Sequence, residues 1–176
     1  MTSHYINTSE LKSKISDIKV GDRVFLSGIV YTARDAAHKR LFELLGAGKP
    51  LPFNIDGAAI YYAGPTPSKQ DAVIGSCGPT TSSRMDIYTP RLIELGLTAT
   101  IGKGERNAQV CEAIKNHRSL YLCAIGGAGA LAASHITSFE VIAFDDLGCE
   151  SIKRLEFDNF PLICAIDSNG GNIFKR

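Results

Sequence analysis

Between residues 20 and 174, short β-type runs alternate with helix-type stretches, and nearly every run stops on glycine or proline. Residues 20–33, "VGDRVFLSGIVYTA", open on a Gly-Asp turn and continue as apolar, β-branched chain. "RDAAHKRLFELLGAG" reads as a helix with Asp35 as cap, Leu41, Leu44 and Leu45 on the buried face, and Gly46 or Gly48 as the stop. "AAIYYAGP", "DAVIGSCGP", "TATIGKG" and "SLYLCAIGG" read as strands. "ERNAQVCEAIKNH" is an amphipathic helix, and "AGALAASHI" a short one. Upstream, "SELKSKISDIK" spaces Leu11, Ile15 and Ile18 for a helix, with Ser9 as N-cap. Downstream, "SFEVIAFDDLG" and "FPLICAIDSNGGNIF" supply the last strands, the final two joined by a Ser-Asn-Gly-Gly turn. Alternation in the middle with hairpin-like strands at both ends predicts a mixed α/β domain rather than a purely doubly wound sheet.

The chain has 176 residues, enough for a single domain spanning 1–176 with a core of its own. A net charge of +1 gives no general attraction to nucleic acid or an anionic membrane, so anion binding must come from local placement of Arg and Lys. No apolar run approaches the roughly 20 residues of a membrane-spanning helix, and the first residues lack the apolar segment of a signal peptide. A cytoplasmic location is expected. Five scattered cysteines without a CxxC pair read as reduced thiols rather than a metal site of this chain.

The stretch "GSCGPTTSSRMDIYTP" (75–90) places Thr80, Thr81, Ser82, Ser83 and Arg84 behind a Gly-Pro turn. If a helix starts there, its free N–H groups, the hydroxyls and a guanidinium one turn on would suit a small anion. Simple capping is an equally good reading of the same residues. "IGKGE" puts Lys103 between two glycines at a strand end, and "TARDAAHKR" puts Arg34 at another. Three cations at three strand-to-helix junctions, with hydroxyls beside one, would fit the two ends of a dicarboxylate. His38 is expected to pack locally. "GAGALA" (127–132) fits GxGxxA after a strand, with Asp145 or Asp146 downstream, which leaves an NAD(P)-binding oxidoreductase module as a reading of another class.

"RDAAHKRL", "LPFNIDGAAIYYAGP", "GPTTSSRMDIYTP", "IGKGE", "LYLCAIGGAGALAA" and "DNFPLICAIDSNGGN" occur in the order of the class I fumarase C-terminal domain, which these residues resemble over about 20–173. The same domain forms the beta subunit of two-subunit fumarate hydratases and of L(+)-tartrate dehydratase. The resemblance implies an α/β fold of the swivelling β/β/α three-layer kind, with a mixed sheet. It implies a hydro-lyase acting between L-malate and fumarate, or on tartrate, and the wording of "RDAAHKRL" and "IGKGE" is closer to the fumarases. It implies a 4Fe-4S cluster held by an alpha subunit and not by this chain, a hetero-oligomer and a small dicarboxylate substrate. Carried over by motif, Thr80 resembles the catalytic base, and Arg34, Thr81, Arg84 and Lys103 resemble the substrate contacts. Cys77 matches no cluster ligand and is expected to be structural.

Overall fold

The computed structural model describes residues 1–68, 72–124 and 129–175. The chain opens with β1 (Ser3–Asn7), α1 (Thr8–Lys14), β2 (Arg23–Thr32) and α2 (Asp35–Gly46). It continues with β3 (Ala59–Tyr61), a 3₁₀ turn (Ser82–Met85), α3 (Thr89–Glu94), β4 (Ala99–Gly102), α4 (Ala108–His117) and β5 (Leu120–Ala124). It ends with α5 (Gly129–Ser134), β6 (Ile136–Ala143), a 3₁₀ segment (Asp145–Glu150) and β7 (Ile152–Ile166).

Strands β2, β3, β4 and β5 run parallel and side by side. The long β7 is antiparallel to both β5 and β2, so the pairing returns to its start and closes a barrel-like ring. Strand β1 adds parallel to the first half of β2, and β6 antiparallel to the first half of β7. Closure leaves the five ring strands without a free edge where they pair.

Strand residues alternate between two buried environments. Ala59, Tyr61, Ala99, Ile101, Leu120 and Leu122 face the barrel interior with Val24, Leu26, Phe157 and Leu162. Their neighbours Ile60 and Tyr62 face a second cluster with Ala37, Leu41, Met85 and Leu92 of the α2 and α3 side. Tyr121 joins α4 through Val110 and Ile114. A period of two with both faces apolar is what a parallel strand covered by helices requires.

Leu11, Ile15 and Ile18 are buried as their spacing predicts, although Asn7, not Ser9, caps α1 by accepting from the Ser9 N–H at 3.0 Å. Residues 72–79 are not a strand: Ile74 and Cys77 are buried three residues apart, and Gly75 passes so close to Thr66 and Pro67 that a Cβ would lie 2.3 Å from a carbonyl oxygen. Strand β7 starts at Ile152, well before its apolar end, because its first half buries alternate residues on β2 and β6. The Ser-Asn-Gly-Gly turn leads from β7 to a single bridge, Ile166 to Asn172, rather than to another strand. Asp167 organises it by accepting from Asn169 N and Gly171 N, and from Val20 N across the molecule.

Candidate functional site

All four parallel ring strands end at one rim, where the residues that follow β2, β3 and β4 meet. Arg34 follows β2, Tyr62 follows β3, Lys103 follows β4, and residue 129 resumes the described chain after β5. The 80–85 loop lies across this rim like an extra short strand. Thr80 N donates to the Tyr62 carbonyl at 2.6 Å, Thr81 forms a parallel bridge with Lys103, and Ser82 N donates to the Lys103 carbonyl at 2.9 Å. Thr80 is half-buried, while Thr81, Arg84 and Lys103 are exposed.

Close approach of this loop depends on Gly102. A Cβ there would sit 2.0 Å from Ser82 Oγ, so only glycine lets the loop lie flat on β4. Ser82 Oγ is also bonded to the Tyr121 hydroxyl at 2.9 Å, and that hydroxyl reaches the Gly104 carbonyl at 2.8 Å. The loop is thus held at both its backbone and its buried serine.

The two arginines are arranged around one carboxylate. Arg84 donates from Nε and Nη2 to the two oxygens of Asp35, at 3.0 and 2.7 Å. Arg34 Nε lies 4.0 Å from the same Asp35 and 3.8 Å from Glu150. That Nε is buried without a hydrogen-bond partner among the described residues. The Arg34 side chain runs over Gly64, where a Cβ would lie 2.9 Å from a guanidinium nitrogen. Asp35 therefore does not cap α2: Arg34 occupies the cap position without a side-chain bond, and the Asp35 carboxylate serves Arg84. The helix expected behind Thr80 is a single 3₁₀ turn with no side-chain cap, so no α-helix N-terminus stands behind Thr80 and Thr81.

His38 lies directly beneath the rim. Its Nδ1–H donates to the Arg34 carbonyl at 2.8 Å, and its ring stacks on Tyr88 with centroids 5.5 Å apart. Burial pushes its pKa down to about 4, with the nearby Arg106 cation acting in the same direction. It is a neutral packing residue, as its place in the helix predicts. Cys77 is buried beside the barrel interior, its carbonyl accepts from the Tyr61 hydroxyl at 2.7 Å, and burial pushes its thiol up to about 12.

The residue that sequence reading passed over is Arg106. Its side chain is fully buried and donates to Asp86 at 2.6 Å, Thr100 at 3.1 Å, Tyr62 at 3.2 Å and Thr89 at 2.7 Å. It also lies over the Tyr62 and Tyr121 rings. In the sequence it is one more charged residue after "GKGE", with nothing to separate it from a solvated arginine.

Among the described residues, no group of three or more His, Cys, Asp or Glu side chains is placed to hold a metal ion. The "GAGALA" segment lies partly outside the described residues. Its helix α5 has six residues and leads to β6, which pairs antiparallel with β7, so a parallel βαβ dinucleotide crossover does not follow it. No helix is long and apolar enough to cross a membrane among the described residues.

The profile of the family described as Fumarase C-terminus matches residues 2–176. A provisionally assigned L(+)-tartrate dehydratase subunit beta of Methanocaldococcus jannaschii is 39% identical over 171 residues, covering 94% of this chain and 88% of the relative. The L(+)-tartrate dehydratase subunit beta of Escherichia coli (strain K12) is 34% identical, covering 97% of this chain and 87% of the relative. Fumarate hydratase 2 of Leishmania major is 37% identical over 169 residues, 95% of this chain and 30% of the relative. The chain thus spans about three tenths of the fumarate hydratases it matches and most of the length of the tartrate dehydratase subunits.

Proposed function

Because the chain belongs to the Fumarase C-terminus family, we propose that it is the beta subunit of a two-subunit iron–sulfur hydro-lyase interconverting L-malate and fumarate plus water. One observation carries the reading. Thr80, Thr81, Arg84, Lys103 and Arg34 come from three separate stretches of chain and converge on one rim, on an open face with hydroxyls between cations. That rim has the charge pattern of a dicarboxylate site and is open on one side.

In this reading Arg84 and Lys103 hold the carboxylate next to C3 of malate, and Arg34 steadies the far end. Thr80 Oγ receives the C3 proton. As Thr80 Oγ takes that proton, its own hydroxyl proton passes to a neighbouring carboxylate; the C–H electrons form the C2–C3 double bond, the C2–O bond breaks, and the departing hydroxide takes up a proton to leave as water. The C3 proton is weakly acidic, so charge that develops on the adjacent carboxylate needs fixed cations, which Arg84 and Lys103 supply. A free threonine hydroxyl is too weak a base near neutral pH and needs a carboxylate neighbour, which the alpha subunit provides. The residues of this chain do not suit a 4Fe-4S cluster: the described thiols form no ligand group. The cluster belongs to the alpha subunit, which also closes the open rim.

Residues 1–176 form one domain of the swivelling β/β/α kind. The two helix-side clusters packed outside the barrel support that layering. Five unpaired thiols support a cytoplasmic enzyme.

The second reading, an L(+)-tartrate dehydratase beta subunit, is favoured by the near full-length match to such subunits. Tartrate adds one hydroxyl at C3, which a few polar contacts would read. An anaerobic hydro-lyase assay separates the two. The chain is tested alone and with its alpha subunit, on L-malate and L-tartrate. Turnover of malate by the pair only is the expected result. Turnover of tartrate only would keep the site and exchange the substrate. Inactivity on both, with a formed and cluster-loaded complex, would reject the reading.

A further inference from the structure

We propose that Arg106 is a positioning residue that sets the spacing between the proton-transfer threonine and the carboxylate-binding cations. This rests on the hydro-lyase reading above and adds a residue that makes no substrate contact. Arg106 has no exposed side-chain surface, yet it belongs to neither the barrel interior nor the rim. It stands where three rim-bearing segments cross. Its Nε holds Asp86, two residues beyond Arg84, and the other Asp86 oxygen accepts from Asn107 N at 2.7 Å. Its Nη1 holds Thr100 of β4, the strand that carries Lys103 at its end. Its Nη2 holds Thr89 and Tyr62.

Tyr62 extends this hold to the start of the threonine loop and to the start of α3 beyond it. Its carbonyl takes the Thr80 N–H, and its hydroxyl lies 3.0 Å from Thr89 Oγ1. The Tyr62 ring also meets the edge of His38, whose Nδ1–H bonds the Arg34 carbonyl. One planar fork of donors therefore references the loop of Thr80 and Arg84, the strand of Lys103 and the helix start of Arg34 to each other. A buried cation of this type is costly to desolvate and is a weak source of net stability, because an apolar replacement of similar volume can match it. What such a fork supplies is fixed geometry. Reaction rate is sensitive to that geometry, since a misplacement of about 1 Å can cost about a hundredfold.

The test uses the assembled, cluster-loaded two-subunit enzyme with Arg106→Lys, Arg106→Gln and Tyr62→Phe in this chain. Tyr62→Phe removes only the hydroxyl that Arg106 and Thr89 share and keeps the ring. Steady-state kinetics on L-malate, the isotope effect with malate deuterated at the proton-transfer carbon, and the melting temperature are read together. Expected for Arg106→Gln is a fall in kcat of about tenfold or more with KM moving less, and an isotope effect larger than wild type. Tyr62→Phe is expected to lower kcat about threefold to tenfold in the same pattern. Arg106→Lys, which keeps charge but not the fork, is expected to resemble Arg106→Gln rather than wild type. A lower melting temperature with kcat and isotope effect unchanged would make the network structural only and overturn the proposal. If Arg106→Gln yields no folded chain, Tyr62→Phe decides alone by the same criteria. A wild-type enzyme inert on malate would instead strike the hydro-lyase reading; if it turns over tartrate, the same variants are read on that substrate.

Discussion

Asp35 grips Arg84 by both carboxylate oxygens, at 3.0 and 2.7 Å, and in doing so occupies its Nε–Nη2 edge and leaves Nη1 unengaged by Asp35. Arg84 is half exposed, so the pair contributes well under about 1 kcal/mol to folding. Its consequence is orientation: the guanidinium plane is set before substrate arrives, and its remaining N–H groups are left for the ligand. Replacing Arg84 by lysine keeps the charge but loses the plane. Arg84→Lys should lower kcat/KM by about a hundredfold, and Asp35→Asn by about tenfold, chiefly through KM. Melting temperatures should stay within about 3 °C of wild type in both. Kinetics of the assembled enzyme check this, and a wild-type kcat/KM in Arg84→Lys would remove Arg84 from the site.

Thr80 fastens the loop with its backbone N–H, not its hydroxyl. Thr80→Val therefore keeps the shape and the Tyr62 bond while deleting the oxygen. Assembly and melting temperature should be unchanged, and kcat should fall about a thousandfold, within the range expected for loss of a proton-transfer group. Retained turnover would transfer the base role to another residue. Thr81→Val, on a more exposed side chain, should raise KM and leave most of kcat.

His38 offers a pH test that is independent of activity. Its folded pKa is pushed down to about 4 from 6.5 by burial. Between those values the unfolded chain takes up the proton and the folded chain does not. Stability should thus be full above pH 6.5, fall as pH drops below it, and level off near pH 4, for a total of roughly 3 kcal/mol. Denaturation of wild type and His38→Gln at pH 7.5 and pH 5 checks this: the variant should lose less stability across the interval. Equal losses would mean that His38 titrates alike in both states.

What sequence reading reached and missed divides along a physical line. Helices α1, α2 and α4 were legible because one face of each is apolar at helical spacing, and β2 to β5 because both of their faces are. Strand β7 was hidden because Lys153, Arg154, Glu156 and Asp158 make its first half look like a solvated loop. Lys153 is nonetheless buried, its ammonium bonded to Ser151 Oγ at 2.8 Å and to the Cys149 carbonyl at 3.1 Å. That Arg34 and Lys103 lie at strand ends was legible from the apolar runs before them, whereas the strand expected before Thr80 and Arg84 is absent and those two were singled out by their motif. Asp35, Arg106 and Tyr62 were not legible, because their work depends on partners 44 to 49 residues away. Barrel closure by β7 was invisible for the same reason: pairing across the whole chain leaves no local mark.

Gly102 supplies the last test, on whether the loop's close approach matters to the site. An alanine Cβ would meet Ser82 Oγ at 2.0 Å, Tyr62 Cδ2 at 3.0 Å and the Thr80 carbonyl at 3.3 Å. None of these can retreat freely: Ser82 is bonded to Tyr121, and Tyr62 is fixed by Arg106. Gly102→Ala should therefore cost about 1–3 kcal/mol, as overpacking does. It should also lower turnover by more than the loss of folded protein explains, because the Thr80–Ser82 segment must lift from β4. Gly46→Ala is the control, since nothing lies within 4 Å of that Cβ at the end of α2. It should be neutral or stabilising by up to about 1 kcal/mol, with kinetics unchanged. Denaturation and kinetics of both variants check the pair. A Gly102→Ala enzyme as active per folded molecule as wild type would show that the rim tolerates a raised loop.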